Sequence, residues 1–93
     1  MSNKMSELYK NYLSDLIFLL KEEALKNKKL FEDKKLKTEL NYDDPDLTYL
    51  SGKNFTYYEV LSLIQQQAEA FGIDPKEINL ENFDADKDLL GMK

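Results

Sequence analysis

The densest run of chemistry-bearing side chains in this sequence is Asp84-Ala85-Asp86-Lys87-Asp88. Carboxylates on alternate residues match the opening of an oxygen-ligand calcium loop, where positions one, three and five turn toward the ion. The match stops there. The sixth position of such a loop turns on Gly and is Leu89 in this sequence, and Lys87 stands among the acids. A simpler role fits the same residues: Asp84 is placed to cap a short helical turn that holds Leu89 and Leu90 and closes at Gly91. No metal site is expected from this string.

Other chemistry is thinly supplied. The chain has no His and no Cys, and all 13 basic residues are lysine. Acid–base work would fall to Asp, Glu, Tyr or Lys alone. No carboxylate pair sits in an apolar run that would shift its ionisation. There is no Gly-rich phosphate loop, no Ser-His-Asp set and no His or Cys to bind zinc. Disulfides and thiolate chemistry are excluded. The expectation is a protein that is not an enzyme and uses no cofactor.

Composition narrows the class further. Ninety-three residues make one small domain, 42% hydrophobic and 33% charged, with net charge −5. That is too apolar for a disordered chain and too polar for a membrane protein. The longest apolar run, residues 16–20, is far shorter than the roughly 18 residues of a membrane span. The first residues lack a charged-then-apolar signal pattern, so a cytoplasmic location is expected. Planar, bidentate recognition of phosphate or guanine usually falls to Arg. With no Arg and a negative net charge, nucleic acid is not an expected partner. The lysine bias fits a genome poor in G and C, and the chain has the look of small bacterial proteins.

The charge is uneven. Residues 1–40 hold nine Lys against seven acids, net +2, while residues 41–93 hold four Lys against eleven acids, net −7. Lys26, Lys28, Lys29, Lys34, Lys35 and Lys37 crowd one stretch. Lysines there complement the negative end of a helix dipole.

The elements that must carry these residues are helical. Thr56 to Gly72 shows a T-x-x-E spacing (Thr56, Glu59), a Phe55–Val60 staple and a closing Gly. At about 100° per residue, Tyr57, Val60, Leu61, Ile64, Ala68 and Phe71 share one arc, while Gln65, Gln66 and Glu69 face water. This predicts a helix over about 56–71 whose stripe, Tyr57, Ile64 and Phe71 included, is covered by another element. An earlier helix is predicted over about 6–36, with Ser2 as an alternative start, and Met5, Tyr9, Tyr12, Leu13, Leu16, Ile17, Leu20, Ala24 and Phe31 share one broad face. Asn27 interrupts that face. Residues 41–53 are predicted as a connector, because Pro45 disfavours helix at Asp44 and Ser51-Gly52 is turn material, with a helix start near Ser51 as the alternative. Asp74-Pro75-Lys76-Glu77 places an N-cap before Pro at the first helical position, so short turns are predicted over 75–80 and 85–90. The fold expected is all-α: an antiparallel hairpin of a long and a shorter helix, with the C-terminal turns packed across it.

Phe18 and Leu25, seven residues apart, lie nearly opposite the front of the first helix, and Leu36 falls on the same side. The C-terminal turns are expected to cover Phe18 and Leu25, with a second copy or another protein as the rival cover. Tyr42, Tyr49 and Tyr58 are the tyrosines placed outside the predicted core, and Tyr is common among interface anchors. Together these predict a small acidic interaction protein, of the immunity, antitoxin or adaptor kind, whose acidic half docks a basic partner. The alternative is a self-associating structural or regulatory protein, a homodimer with no outside ligand.

Overall fold

Aspartate opens every helical segment after the first. In the computed structural model, which describes residues 3–37 and 44–91, helix α1 (Asn3–Lys37) is followed by α2 (Pro45–Ala70), a 3-10 turn (Pro75–Ile78) and α3 (Ala85–Leu90). The Asp44 carboxylate accepts from the N–H groups of Asp46 (2.8 Å) and Leu47 (3.3 Å). Asp74 accepts from Lys76 (3.0 Å), and Asp84 from Asp86 (3.0 Å) and Lys87 (3.3 Å). Each satisfies donors that a helix start leaves without partners. Pro45 and Pro75 stand just inside the first and second of these starts, where a missing N–H costs nothing. Among the described residues no strand forms, and no helix is long and apolar enough to cross a membrane.

The all-α hairpin is as expected, but its second helix is longer. α2 begins at Pro45, not near Thr56, so residues 45–53 are helix and not connector. Thr56 is an interior residue whose hydroxyl donates to the Gly52 carbonyl over 3.0 Å, so it caps nothing. The Phe55–Val60 staple is absent too: both side chains are exposed, and the Phe55 ring lies 5.8 Å from that of Tyr58. α1 starts at Asn3, earlier than Ser6, and runs to Lys37. Asn27 does not interrupt its face. It is buried between the helices and donates to the Leu50 carbonyl over 3.2 Å.

The end of α2 is closed as its sequence implies. Gly72 takes a left-handed φ of 68°. The Ile73 N–H reaches the Ala68 carbonyl (2.8 Å) and the Gly72 N–H the Glu69 carbonyl (3.1 Å). This paired closure turns the chain back on the hairpin.

Residues 71–91 then form a strap along one side of the α1–α2 pair. The core lies under it: Ile17 and Ala24 from α1, Leu61 and Ala68 from α2, and Ile78, Leu80, Phe83, Ala85 and Leu89 from the strap. Polar side chains fix its register. Asn79 donates to the Ser14 carbonyl (2.9 Å) and hydroxyl (2.7 Å), and Lys21 donates to the Asn79 carbonyl (2.7 Å). Lys10 pairs with Glu77 at 3.3 Å. Gln65, expected to be wet, donates to the Phe83 carbonyl (2.8 Å) and accepts from the Ala85 N–H (3.3 Å). Asn54 donates to the Leu89 carbonyl (2.8 Å).

These anchors hold the strap on the stripe of α1 that carries Lys10, Ser14 and Lys21. It therefore does not bury Phe18 and Leu25, which stay 41% and 39% exposed. The molecule measures 60 × 23 × 16 Å, and its radius of gyration is 16.1 Å. A compact chain of this length would have about 12 Å. It is a long hairpin with a cover on one side only.

Candidate functional site

The uncovered side of the hairpin is where the structure concentrates unspent apolar surface. Leu13 and Ile17 of α1, Leu63 and Ile64 of α2, Phe71 at its C-cap and Ile78 of the strap line a groove of about 370 Å³ whose walls are almost wholly apolar. Leu13, Leu63 and Phe71 are 43%, 57% and 76% exposed. Leu16 and Val60 extend the patch along both helices, and Tyr9 and Tyr12 flank it nearer the start of α1. At about 100° per residue, Tyr9, Tyr12 and Leu16 fall on the same side of α1 as Leu13. Monomeric proteins seldom leave so continuous an apolar surface without use for it.

Phe71 is the clearest departure from the sequence reading. It shares the arc of Tyr57 and Ile64, both half-buried, but is itself exposed. Of that arc only Leu61 and Ala68 are fully enclosed, because the strap and α1 together cover one edge of it. Leu63 was outside the predicted stripe altogether. The signal for both was present in the breadth of the apolar pattern on α1, which exceeds what one partner helix can cover.

Near the turn of the hairpin the same side changes character. A second groove of about 380 Å³ is lined by Leu30, Tyr49 and Leu50 together with Asp33, Lys34 and Asp46. Lys34 pairs with Asp44 at 3.5 Å and with Asp46 at 3.8 Å. Burial opposes ionisation of Asp44, but the N–H groups of Asp46 and Leu47 and the Lys34 ammonium outweigh it and hold the carboxyl below its ordinary value.

The residues singled out as contacts do not form one surface. Phe18, Leu25 and Leu36 are exposed on α1, Leu36 by 73%. Tyr49 is 65% exposed on α2, with the Lys53 ammonium 5.7 Å from its ring centre. Tyr58 is half-buried on the strap side. The Asp86 carboxylate beside it, with partial burial, raises its hydroxyl pKa above the ordinary value. Tyr42 lies outside the described residues.

The acidic string has structural employment. Asp84 caps α3, Asp88 accepts from the Asp84 N–H at 3.0 Å, and Asp86 faces Tyr58. Among the described residues no group of three or more acidic side chains is arranged to hold a metal ion. A cavity of about 420 Å³ beneath the strap is bordered by Gln65, Glu69, Ile73 and Leu80. Its amide, Gln65, is already committed to Phe83 and Ala85. Comparison with known protein families, curated proteins and solved structures finds no match for this chain.

Proposed function

We propose that this protein is a non-enzymatic interaction module, and that the uncovered face of its helical hairpin is the surface it offers to another protein. One observation carries the reading: Leu13, Leu16, Val60, Leu63 and Phe71 are 39% to 76% exposed on one face, around a groove with almost no polar lining. Helices that present such a face are commonly covered by a partner helix or hairpin. The acidic majority at this end of the molecule favours partners with a basic rim, because complementary charge speeds encounter and rejects wrong partners.

The experiment is capture from the native cell with the chain carrying a photo-crosslinking residue at position 63. Partners should crosslink there, vanish with Phe71→Asp, and weaken as salt rises. A crosslink pattern indifferent to Phe71→Asp would refute the assignment of the face.

A further inference from the structure

Resting on that reading, we propose that the occupant of the open face is a second copy of this chain, packed antiparallel to give a four-helix homodimer.

Three features of the molecule argue for a copy over a foreign protein. The first is extent. The face runs over about 22 residues of each helix, from Tyr9 to Leu30 and from Tyr49 to Phe71. That is about 33 Å long and about 20 Å across two helices. Such a footprint matches the roughly 800 Å² per partner of a standard stable interface.

The second is the distribution of charge between the two ends of the hairpin. Among the described residues, those toward its turn (26–37 and 44–53) hold seven Lys against four carboxylates, net +3. Those toward its open end (3–25 and 54–91) hold five Lys against twelve carboxylates, net −7. A parallel pairing sets like ends together. Six of those twelve carboxylates lie on the strap, off the open face, and act at a distance; an antiparallel pairing brings the acidic end of each copy toward the lysine-rich turn of the other, which a parallel pairing does not.

The third is register. A two-fold axis across the helices at Val60 places Phe71 opposite the partner copy at position 49, so the exposed Phe71 ring meets the Leu30–Tyr49–Leu50 groove. Residues on one surface thus meet the complementary residues of the same surface, as a two-fold interface requires.

Light scattering after size exclusion, from micromolar to near-millimolar chain, tests this. A mass twice the 10.9 kDa of the chain is expected. Leu63→Asp with Phe71→Asp should return the mass to that of one chain with unchanged helical circular dichroism, since both side chains are exposed. Lys53→Cys with Gln67→Cys, two exposed positions that the axis at Val60 sets opposite each other, should give a disulfide-linked dimer on oxidation, since within one copy they lie about 21 Å apart along the helix. A single-chain mass at every concentration overturns the homodimer, as does a dimer that ignores Leu63→Asp with Phe71→Asp. A dimer that is lost with those two but forms no disulfide between positions 53 and 67 overturns the antiparallel register. If the chain is monomeric yet crosslinks a foreign protein through position 63, the homodimer fails and the interaction reading stands. If it is monomeric and nothing crosslinks there, both fail.

Discussion

The side-chain amide of Asn54, buried on α2, donates to the main-chain carbonyl of Leu89 on α3 over 2.8 Å. The two residues are 35 positions apart in sequence. This bond closes the far end of the strap over Leu61 and Leu89, both fully buried. Replacing Asn54 by Ala strands that carbonyl in an apolar surround, at a cost of about 1–3 kcal/mol. Asn54→Asp should cost more, because it turns oxygen lone pairs toward an oxygen. Urea unfolding midpoints should fall in the order wild type, Ala, Asp. Hydrogen exchange should show the α3 amides losing protection first.

Gly52 and Gly72 should answer the same substitution with opposite signs. Gly52 lies inside α2 without the left-handed backbone of Gly72, and a methyl group there would meet nothing within 4 Å. Gly52→Ala should stabilise by about 0.5–1 kcal/mol, through helix propensity and a less free unfolded chain. Gly72 has φ of 68°, so Gly72→Ala should destabilise by about 1–2 kcal/mol, the cost of a Cβ in that conformation. Thermal unfolding of the two single variants reads both signs directly.

Asn79 combines a left-handed backbone, φ 60°, with two hydrogen bonds to Ser14. Asn tolerates that backbone better than most residues. Asn79→Gly keeps the conformation and loses the bonds, while Asn79→Ala loses both. The Ala variant should therefore be the less stable of the two, by about 1 kcal/mol. Equal stability would mean that the backbone at this corner carries no strain.

Asp44 links stability to acid. Its carboxyl is held below the ordinary 3.8 in the folded state, so the folded form favours the ionised group. Stabilisation from the ionised Asp44 is complete above the unfolded value and is lost as pH falls through the lower folded one. Asn caps helices about as well as Asp but carries no charge. The stability advantage of wild type over Asp44→Asn should thus be constant near neutral pH and shrink below about pH 4. Urea titrations at several pH values measure the difference. An advantage that persists well below the folded value contradicts the Asp44–Lys34 pairing.

The sequence carried the helix count and most of the helix ends, because caps are local chemistry. Asp74-Pro75 and Asp84 marked their helices correctly. Asp44-Pro45 is the same device, but the Ser51-Gly52 pair after it suggested a turn. Nothing local says that a Gly with ordinary backbone angles will be carried through by packing of the helix on either side. Thr56 and Glu59 had capping-box spacing by coincidence, since such spacing is compatible with any helical position. Asn27 and Gln65 were misplaced for another reason. Hydrophobic periodicity counts an amide as polar, whereas an amide facing a carbonyl can be buried, as Asn27 is, or half-buried under the strap, as Gln65 is. The open face was the least legible. Periodicity shows that Phe71 and Leu13 lie on apolar sides of their helices, but it does not say which of two possible neighbours covers each. The strap chose the stripe of Ser14 and Lys21, and that left Phe71 bare.

Much of the polar hold on the strap falls on its main chain. Asn54 and Gln65 hold the carbonyls of Leu89 and Phe83, and Lys21 holds that of Asn79. A carbonyl is present whatever side chain the residue bears. The exposed positions between these grips, such as Glu81, Asn82 and Lys87, are therefore open to recoding, provided that position 82 accepts its φ of 60°. A library randomised at those solvent-facing sites could give this small scaffold a new surface while its hairpin kept the same grasp on the returning chain.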